Sequence, residues 1–278
     1  MTILITGATG TVGRHIVNQL VGRGENVRAL SRNPKKAGFS EQVEVVAGDL
    51  MSPETLVPAF RGVRAMYLIQ SSDQAGSELE TSPQVIELAE REGVERITFL
   101  TVYGEGPVED AIKNSRLQWT FIQPVGFMAN AIDDWQQSIR EEGLVRVFQG
   151  SKKGAVIHES DIAAVAVAAL LEEGHHGQCY TLTGPEAISA KEQVAIISQA
   201  IGKPIEFIEL TEEQARKQWQ EKGYDEESIA FFLEMSKNPP EIGTTVLPTV
   251  EKMTGHPAKT FAEWAAEHKR EFMGAAPA

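Results

Sequence analysis

The first residues of the chain form a short apolar run that leads directly into a glycine-rich turn. The run at residues 3–5 (ILI) is followed by Gly7, Gly10 and Gly13, and residues 12–20 then place apolar side chains at helical spacing. This order predicts a buried strand, a tight turn and a helix. Such a unit is typical of an α/β domain, and it constrains the fold more than any other feature of the chain.

Glycines at these positions suit a dinucleotide. The first permits the tight turn, the second lets the backbone approach a pyrophosphate, and the third lets the helix pack close to the strand. The new helix also offers unpaired N–H groups and the positive end of its dipole. The same glycines could serve only a tight connection, but their place directly after a strand favours nucleotide binding. We expect these residues of the turn to contact the cofactor: Gly7, Thr9, Gly10, Thr11, Val12 and Gly13.

The loop after the second strand indicates which dinucleotide binds. A domain that binds NAD carries Asp or Glu about twenty residues after the glycines, on the ribose 2′-hydroxyl. Here Ser31 and Arg32 follow the strand-like run at 26–30, with Lys35 and Lys36 close behind. A guanidinium can pair with a 2′-phosphate or stack on adenine; the alternative is a solvated basic loop. Because the whole chain carries a net charge of −13, this basic loop favours NADP(H) over NAD(H).

Composition excludes several classes of function. The chain has 26 basic and 39 acidic residues, and this excess disfavours extended contact with nucleic-acid phosphates. Cys179 is the only cysteine, so neither an intrachain disulfide nor a cysteine-based metal site is expected. The first residues lack the pattern of a signal peptide, and no apolar run approaches the ~18 residues that span a bilayer. We expect a cytoplasmic monomer or homodimer without nucleic-acid or membrane partners.

Short apolar runs alternate with helical patterns through the first half of the chain. This alternation is typical of a parallel sheet covered by helices on both faces. The runs that we interpret as strands are residues 3–5, 26–30, 43–47, 65–69, 96–100 and 119–122. We therefore predict an α/β fold with a doubly wound parallel sheet, whose ligand lies beyond the carboxyl ends of the strands.

That rule selects further residues for the cofactor site. The residues at or just after strand ends that we expect to contact the cofactor are Ser31, Arg32, Asp49, Leu50, Gln70, Ser71, Thr101 and Pro124. Asp49 could accept a hydrogen bond from the adenine amino group, or it could simply cap a helix. Gln70 and Ser71 are predicted to line the ribose and the nicotinamide.

The pattern changes from about Gly184 onward. Helical segments at 191–201, 212–222 and 226–235 are interrupted by prolines and by a strand-like run at 205–210. This mixture is typical of a small α/β lobe. We predict a dinucleotide-binding core at 1–125 and about 156–183, a substrate lobe at 126–155 and 184–272, and a disordered tail at 273–278.

Several segments occur in an order that is more specific than any one of them. They are TGATGTVG, SRNP, AGDL, YLIQSS, WTFIQPVGFMAN, VIHESDIAAVAVAALL, YTLTGPEAIS and TGHPAKTFAEWAAEH. Together they resemble the NmrA-like branch of the atypical short-chain dehydrogenases/reductases. The resemblance implies a Rossmann domain that binds NADP(H) and a C-terminal lobe that closes a substrate pocket. It supports Gly7, Gly10, Gly13, Arg32 and Gln70 as cofactor contacts.

The candidate catalytic residues are where the chain departs from that family. Ordinary short-chain reductases use a Tyr-x-x-x-Lys pair, but the fourth residue after Tyr103 is Pro107. Lys113 is the only lysine before the sixth strand in this stretch, and it does not fall on the family's usual position. We retain Tyr103 as a candidate proton donor and Lys113 as a second catalytic candidate; the alternatives are a strand-end aromatic and an exposed helix residue.

The histidines are interpreted as structural. His158 lies where the two lobes are expected to join, just before a helix that Ser160 or Asp161 would cap. His175 and His176 lie in a glycine-bounded turn that lacks the other ligands of a metal site. No bound metal is expected.

Apolar side chains after the sixth strand are candidates for a substrate wall, or else for core: Phe127, Met128 and Trp135, together with Tyr103. We predict an NADP(H)-dependent oxidoreductase that transfers hydride to a small, partly apolar acceptor such as a quinone, enone or imine. Such acceptors do not strictly need a protein acid. The alternative is an NAD(P)-sensing regulator that acts through a protein partner without turnover, a class that the family also contains.

Overall fold

The computed structural model describes residues 1–70, 79–101 and 106–273, and they form two compact units. Unit 1 comprises the described residues within Met1–Pro124, Glu159–Leu182 and Thr249–His256. Unit 2 comprises those within Val125–His158, Thr183–Pro248 and Pro257–Ala278.

Strands and helices alternate along the chain. The strands are β1 (Thr2–Ile5), β2 (Asn26–Ser31), β3 (Val43–Ala47), β4 (Val63–Ile69), β5 (Arg96–Leu100), β6 (Gln118–Pro124), β7 (Leu144–Phe148), β8 (Lys153–Gly154), β9 (Gln178–Leu182), β10 (Ile188–Ser189) and β11 (Glu206–Leu210). The helices are α1 (Gly13–Gly22), α2 (Val57–Phe60), α3 (Ser82–Arg91), α4 (Pro107–Lys113), α5 (Asn130–Glu142), α6 (Glu159–Leu171), α7 (Ala190–Ile201), α8 (Glu212–Glu221), α9 (Glu226–Lys237), α10 (Thr249–Thr254) and α11 (Phe261–Phe272).

Unit 1 is built on a seven-stranded parallel sheet with the order β3-β2-β1-β4-β5-β6-β9. The chain winds outward from β1 to β3 and then returns to β4, so the strand order reverses between β1 and β4. Since every strand is parallel, all carboxyl ends lie along one edge. The predicted doubly wound fold is confirmed. The seventh strand, β9, was not predicted, because its first residues are exposed at the sheet edge and carry no apolar run.

Helix α6 lies against the sheet and α1, and it is apolar nearly all round, with Ile162 to Leu170 almost entirely buried. It begins at Glu159, so Ser160 and Asp161 lie inside its first turn, and the prediction that one of them is the N-cap was wrong. Acidic side chains in a first turn still interact favourably with the helix dipole. Helix α10 packs on α6, and therefore Thr249–His256 groups with unit 1 and not with the lobe to which the sequence assigned it.

The two faces of the central sheet differ in polarity. Leu4, Met66 and Phe99 belong to an apolar cluster with residues of α2, α3 and α4. Side chains alternate along a strand, so Tyr67 points to the opposite face, beside its register partner Thr98. Both are fully buried, and neither hydroxyl has a hydrogen-bond partner in the part of the chain that the structure describes.

Replacing Tyr67 by phenylalanine is expected to raise the free energy of unfolding by about 1 kcal/mol at neutral pH, because the buried hydroxyl is unsatisfied. Burial raises the pKa of Tyr67 well above its ordinary value of 10.0. Above pH 10 the unfolded chain therefore loses this proton while the folded chain keeps it, which lowers wild-type stability. The advantage of Tyr67→Phe should grow there by up to about 1.4 kcal/mol per pH unit. Urea unfolding at pH 7 and pH 11 measures both effects.

Tyr180 provides the matched control for that substitution. Its hydroxyl lies 2.9 Å from His175 Nδ1, so Tyr180→Phe removes a hydrogen bond and should not stabilise the protein. Equal effects of the two substitutions would contradict the assignment of an unsatisfied hydroxyl to Tyr67.

Unit 2 has a core of its own. Helices α5, α7 and α11 enclose Ile139, Val145, Ile197, Phe261 and Trp264. Strand β7 pairs in parallel with β11, and β8 pairs with β10 in antiparallel fashion. The predicted mixed α/β lobe is confirmed, including the strand at 205–210, which is β11.

Candidate functional site

The turn after β1 lies at the edge formed by the carboxyl ends of the strands. Gly7 has a φ of +57°, and a Cβ atom there would lie 2.8 Å from Ile69 Cδ1. A Cβ atom at Gly13 would lie 2.1 Å from the Gly7 carbonyl oxygen, which is backbone and has little freedom to move. The N–H of Gly10 donates to the same oxygen at 2.9 Å. The backbone at Gly13 therefore passes too close to the turn for any side chain.

Helix α1 begins at this turn with its amino end open. Val12 at the N-cap has no capping side chain, and the first turn contains no acidic residue. The N-terminal N–H groups and the helix dipole thus face the glycine turn without an internal anion. A turn whose space any side chain would fill, beside an uncapped helix, fits the pyrophosphate of a dinucleotide.

Thr6 ties β1 to β4 beside the point where the strand order reverses. Its hydroxyl donates to the Tyr67 carbonyl oxygen at 3.0 Å and accepts from the Ile69 N–H at 3.1 Å. The sequence interpretation missed this residue. The only signal for Thr6 in the sequence is a polar residue between an apolar run and a glycine.

The basic loop after β2 is partly held by α1. Arg32 is exposed directly after β2, and Pro34–Lys36 forms one 3₁₀ turn with both lysines exposed. Arg14 in the first turn of α1 donates to the Ala37 carbonyl oxygen at 3.2 Å, and its guanidinium lies 5.0 Å from the centre of the Phe39 ring. Arg14 therefore anchors the loop that carries the predicted 2′-phosphate ligands, a role that the sequence did not reveal.

Other predicted cofactor residues lie at the same edge in different settings. The Asp49 carboxylate accepts from the Met51 N–H at 2.9 Å, so it holds a local turn. The Leu50 side chain is in the apolar core, and Gln70 is half-buried just after β4. Pro124 ends β6. Contact of these residues with a cofactor stays a prediction, and Ser71 and Tyr103 lie outside the described residues, as do residues 274–278 of the predicted tail.

A buried carboxylate at the end of β5 was not predicted. Glu109 in α4 is 2% exposed. Its Oε1 accepts from the hydroxyl of Thr101, and its Oε2 accepts from the Gly106 N–H at 3.1 Å. Only the fold reveals this contact, because it joins a strand end to the helix that follows.

Lys113 lies in the last turn of α4, the turn that leads back toward the start of β6. Its ammonium group lies 5.8 Å from the centre of the Phe121 ring, which is in the apolar cluster on that face of the sheet. This position allows a cation–π contact between Lys113 and Phe121. The catalytic role of Lys113 stays a prediction.

The predicted substrate-wall residues that the structure describes belong to unit 2. Met128 is buried in the core of that unit, and Phe127 is half-buried and forms a bridge with Ile157. Trp135 packs partly on the same core and also lines a groove of about 630 Å³ between α5, β7, β11 and α8. Most other groove residues are carboxylates, amides and amines, so this groove is not an apolar wall.

The histidines have structural contacts. His158 is fully buried in unit 2, and its Nε2 lies 3.3 Å from Glu267 Oε2. Partial burial alone would raise the pKa of Glu267, but the hydrogen bond from Lys259 and the charges of Lys259 and His158 lower it overall. His176 Nδ1 accepts from the Trp119 N–H at 3.2 Å.

Two negative findings bound the site. Within the described ranges, no group of three or more His, Cys, Asp or Glu side chains could hold a metal ion. No helix in that same part of the chain combines the length and apolar character needed to cross a bilayer.

A family model described as NAD(P)H-binding matches residues 7–173, from the glycine turn to the end of the α6 region. The chain belongs to the NAD(P)H-binding family. Membership confirms the predicted cofactor class, and the structure of the regulator NmrA shares the fold of this chain, with a TM-score of 0.72 at 16% identity. Residues 7–173 include most of unit 1, so the sheet edge with the glycine turn is the family's shared part.

Two relatives and one solved structure align with nearly the whole chain. It is 36% identical to a (4-alkanoyl-5-oxo-2,5-dihydrofuran-3-yl)methyl phosphate reductase of Streptomyces griseus, over 97% of this chain and 99% of that protein. It is 35% identical to an NAD(P)H azoreductase of Xenophilus azovorans, over 98% and 100%. An NADPH-dependent quinone oxidoreductase of Escherichia coli, solved with NADPH, shares the fold with a TM-score of 0.78 at 24% identity, over 95% and 99%.

Proposed function

We propose that this protein is an NADP(H)-dependent oxidoreductase that reduces a small, partly apolar acceptor. The observation that carries the proposal is the glycine turn, where the 2.1 Å approach of a Gly13 Cβ to the Gly7 carbonyl oxygen leaves room only for bare backbone beside α1. When bound, NADPH supplies a hydride to the acceptor. The protein binds, orients and shields the reacting partners.

Each part of the edge has a role in this proposal. The glycine turn and the amino end of α1 bind the pyrophosphate, and Arg32 pairs with the 2′-phosphate while Arg14 holds its loop. Asp49 and Gln70 contact the adenine and the ribose. Thr101, at the end of β5, is a contact on the nicotinamide side.

The acceptor class is narrowed by chemistry and by the relatives. The name of the first relative describes a ring alkene conjugated to a lactone carbonyl, and the second relative reduces azo compounds. Both acceptors are electron-poor double bonds, and the predicted quinones, enones and imines share that property. A hydride added to such a bond leaves a negative charge or neutralises a positive one, and water or Tyr103 supplies any proton that completes the product.

The proposal predicts consumption of NADPH by at least one acceptor in a defined panel. The purified protein is first titrated with NADPH, NADP+ and NADH, with protein fluorescence as the readout. NADPH absorbance is then followed with quinones, enones, imines and azo compounds. We expect tighter binding of NADPH than of NADH, and turnover with electron-poor acceptors only.

The competing regulatory function makes the opposite prediction in the same assay. Tight binding of both NADPH and NADP+ with no consumption on any acceptor would favour a dinucleotide sensor over a reductase. The sequence lacks the Tyr-x-x-x-Lys pair that ordinary short-chain reductases use, and this is the observation that favours the regulatory function.

A further inference from the structure

Arg14 joins the glycine turn to the basic loop after β2, the two segments that the proposed function assigns to phosphate groups. Its backbone N–H donates to the Gly10 carbonyl oxygen at 3.1 Å. Its side chain reaches the loop, where Nη2 donates to the Ala37 carbonyl oxygen at 3.2 Å. Two successive turn bonds within residues 33–37 fold the loop back and keep Ala37 close to Arg32. Arg14 and Arg32 therefore border the same short loop.

The positive charge of Arg14 has no acidic partner in its surroundings. Arg14 is the second residue of α1, where the positive end of the helix dipole disfavours a cation, and the first turn of that helix contains no acidic residue. Across residues 1–70, 79–101 and 106–273, no carboxylate forms an ion pair with Arg14, although the chain has 39 acidic residues. A cation held against a helix dipole in this way is expected where the ligand is an anion.

The guanidinium of Arg14 retains hydrogen-bond donors for such an anion. A guanidinium has five N–H donors in a planar fork, and they include two parallel pairs. The bond to Ala37 uses one N–H, so among the described residues at least one parallel pair has no acceptor. Such a pair matches two oxygens of a phosphate. Contacts with Ala37 and with the Phe39 ring hold the side chain in place, yet it is exposed to solvent and accessible to a ligand.

The chemistry of NADPH indicates which phosphate this donor pair would meet. The ribose that carries the 2′-phosphate is attached directly to the pyrophosphate, so it lies next to the glycine turn when the pyrophosphate is bound there. The loop after β2 borders the same ribose. We propose that Arg14 is a second specificity-determining residue, which binds the 2′-phosphate with its remaining donors and shares it with Arg32. This inference rests on the proposed function and extends it, because Arg14 becomes a ligand of the phosphate as well as a support of the loop.

The test compares ligands with and without the 2′-phosphate. NADPH and NADH are titrated by protein fluorescence, and adenosine 2′,5′-bisphosphate and adenosine 5′-monophosphate by calorimetry. Arg14→Ala should raise the dissociation constants of NADPH and of the bisphosphate by about 10-fold, the lower end for a hydrogen bond to a charged group. Those of NADH and the monophosphate should change by less than about 2-fold. Arg14→Lys keeps the charge but not the planar fork, so its effect should lie between wild type and Arg14→Ala.

A double-mutant cycle with Arg32→Ala separates a direct contact with the phosphate from support of the loop. If Arg14 binds the phosphate itself, Arg14→Ala should weaken NADPH binding by at least ~3-fold in the Arg32→Ala background as well. If Arg14 only holds the loop for Arg32, the second substitution has no further effect there, and this result would overturn the proposal. Equal losses of NADPH and NADH affinity in the Arg14→Ala single variant would overturn it too.

Two further variants control for folding and for net charge. Arg14→Met keeps an apolar stem of similar length beside Phe39, so it should reproduce the loss of NADPH affinity if Arg14→Ala does not fold. Arg23→Ala changes the net charge equally at the opposite end of α1 and should leave all four dissociation constants unchanged. A wild type that prefers NADPH but reduces no acceptor would contradict the proposed function and leave the cycle decisive. Turnover without any preference for NADPH over NADH would contradict this inference and leave the reductase activity in place.

Discussion

Replacing Gly13 by alanine is expected to destabilise the protein by about 3 kcal/mol or more and to weaken NADPH binding by at least ~100-fold. The added Cβ would lie 2.1 Å from the Gly7 carbonyl oxygen and 2.8 Å from the Gly7 carbonyl carbon. Neither atom is the far end of a flexible side chain, so the turn and the first turn of α1 must separate. That movement would displace the N–H groups that face the pyrophosphate. Urea unfolding and fluorescence titration measure the two effects.

Gly22 provides the matched control, since it ends the same helix. A Cβ atom there meets nothing within 4 Å, and the backbone does not adopt a positive φ. Gly22→Ala should leave NADPH binding unchanged and should raise stability by up to about 1 kcal/mol. Similar losses of stability and NADPH affinity in Gly13→Ala and Gly22→Ala would contradict this explanation. They would mean that helix propensity, and not the close backbone approach at Gly13, causes the effect.

Replacing Arg32 by alanine is expected to raise the dissociation constant of NADPH by about 10- to 100-fold, while that of NADH changes by less than about 2-fold. A hydrogen bond to a charged partner contributes about 1.5–3 kcal/mol, and only NADPH carries the 2′-phosphate. Wild-type affinity for NADPH should also fall as salt rises, because the guanidinium is exposed. Titration of both dinucleotides at two ionic strengths provides the measurement.

Arg23 is a suitable control for that charge change. It is exposed at the opposite end of α1, so Arg23→Ala alters the net charge equally without touching the loop. An equal loss of NADPH and NADH affinity in Arg32→Ala would contradict the assignment of Arg32 to the 2′-phosphate. It would mean that Arg32 contacts a part of the molecule that both dinucleotides share.

Local pattern predicts the sheet well in this chain because buried parallel strands require apolar runs. The strands β1 to β6 and the helix after the glycine turn follow from such runs. Strand β9 does not, because an edge strand is partly exposed and its register with β6 depends on pairing across 58 residues. The start of α6 at Glu159 was also missed, since several polar residues in succession could each have capped it.

The candidate site likewise contains residues that the sequence predicts and residues that it does not. The glycines and Arg32 can be recognised from the sequence because their roles depend on nearby residues. The glycines form a turn at the start of a helix, and Arg32 carries a charge directly after a strand. Arg14 and Glu109 cannot be recognised in this way, because each acts on a residue that only the fold brings near, Ala37 and Thr101. A glutamate in the first turn of a helix predicts a cap, and nothing in the sequence states that its second oxygen reaches a neighbouring strand.

The position of α10 along the chain affects the order in which unit 1 can be completed during synthesis. This helix packs on α6, and Val250 in it is buried, yet it follows most of unit 2 along the chain. A ribosome therefore completes the dinucleotide-binding unit only after it has made residues 183–248. Domains that are contiguous in sequence can close one after another during translation. Here the last helix of unit 1 is synthesised after most of unit 2, so the surface of α6 that α10 covers cannot be buried by α10 until residues 249–256 have been made.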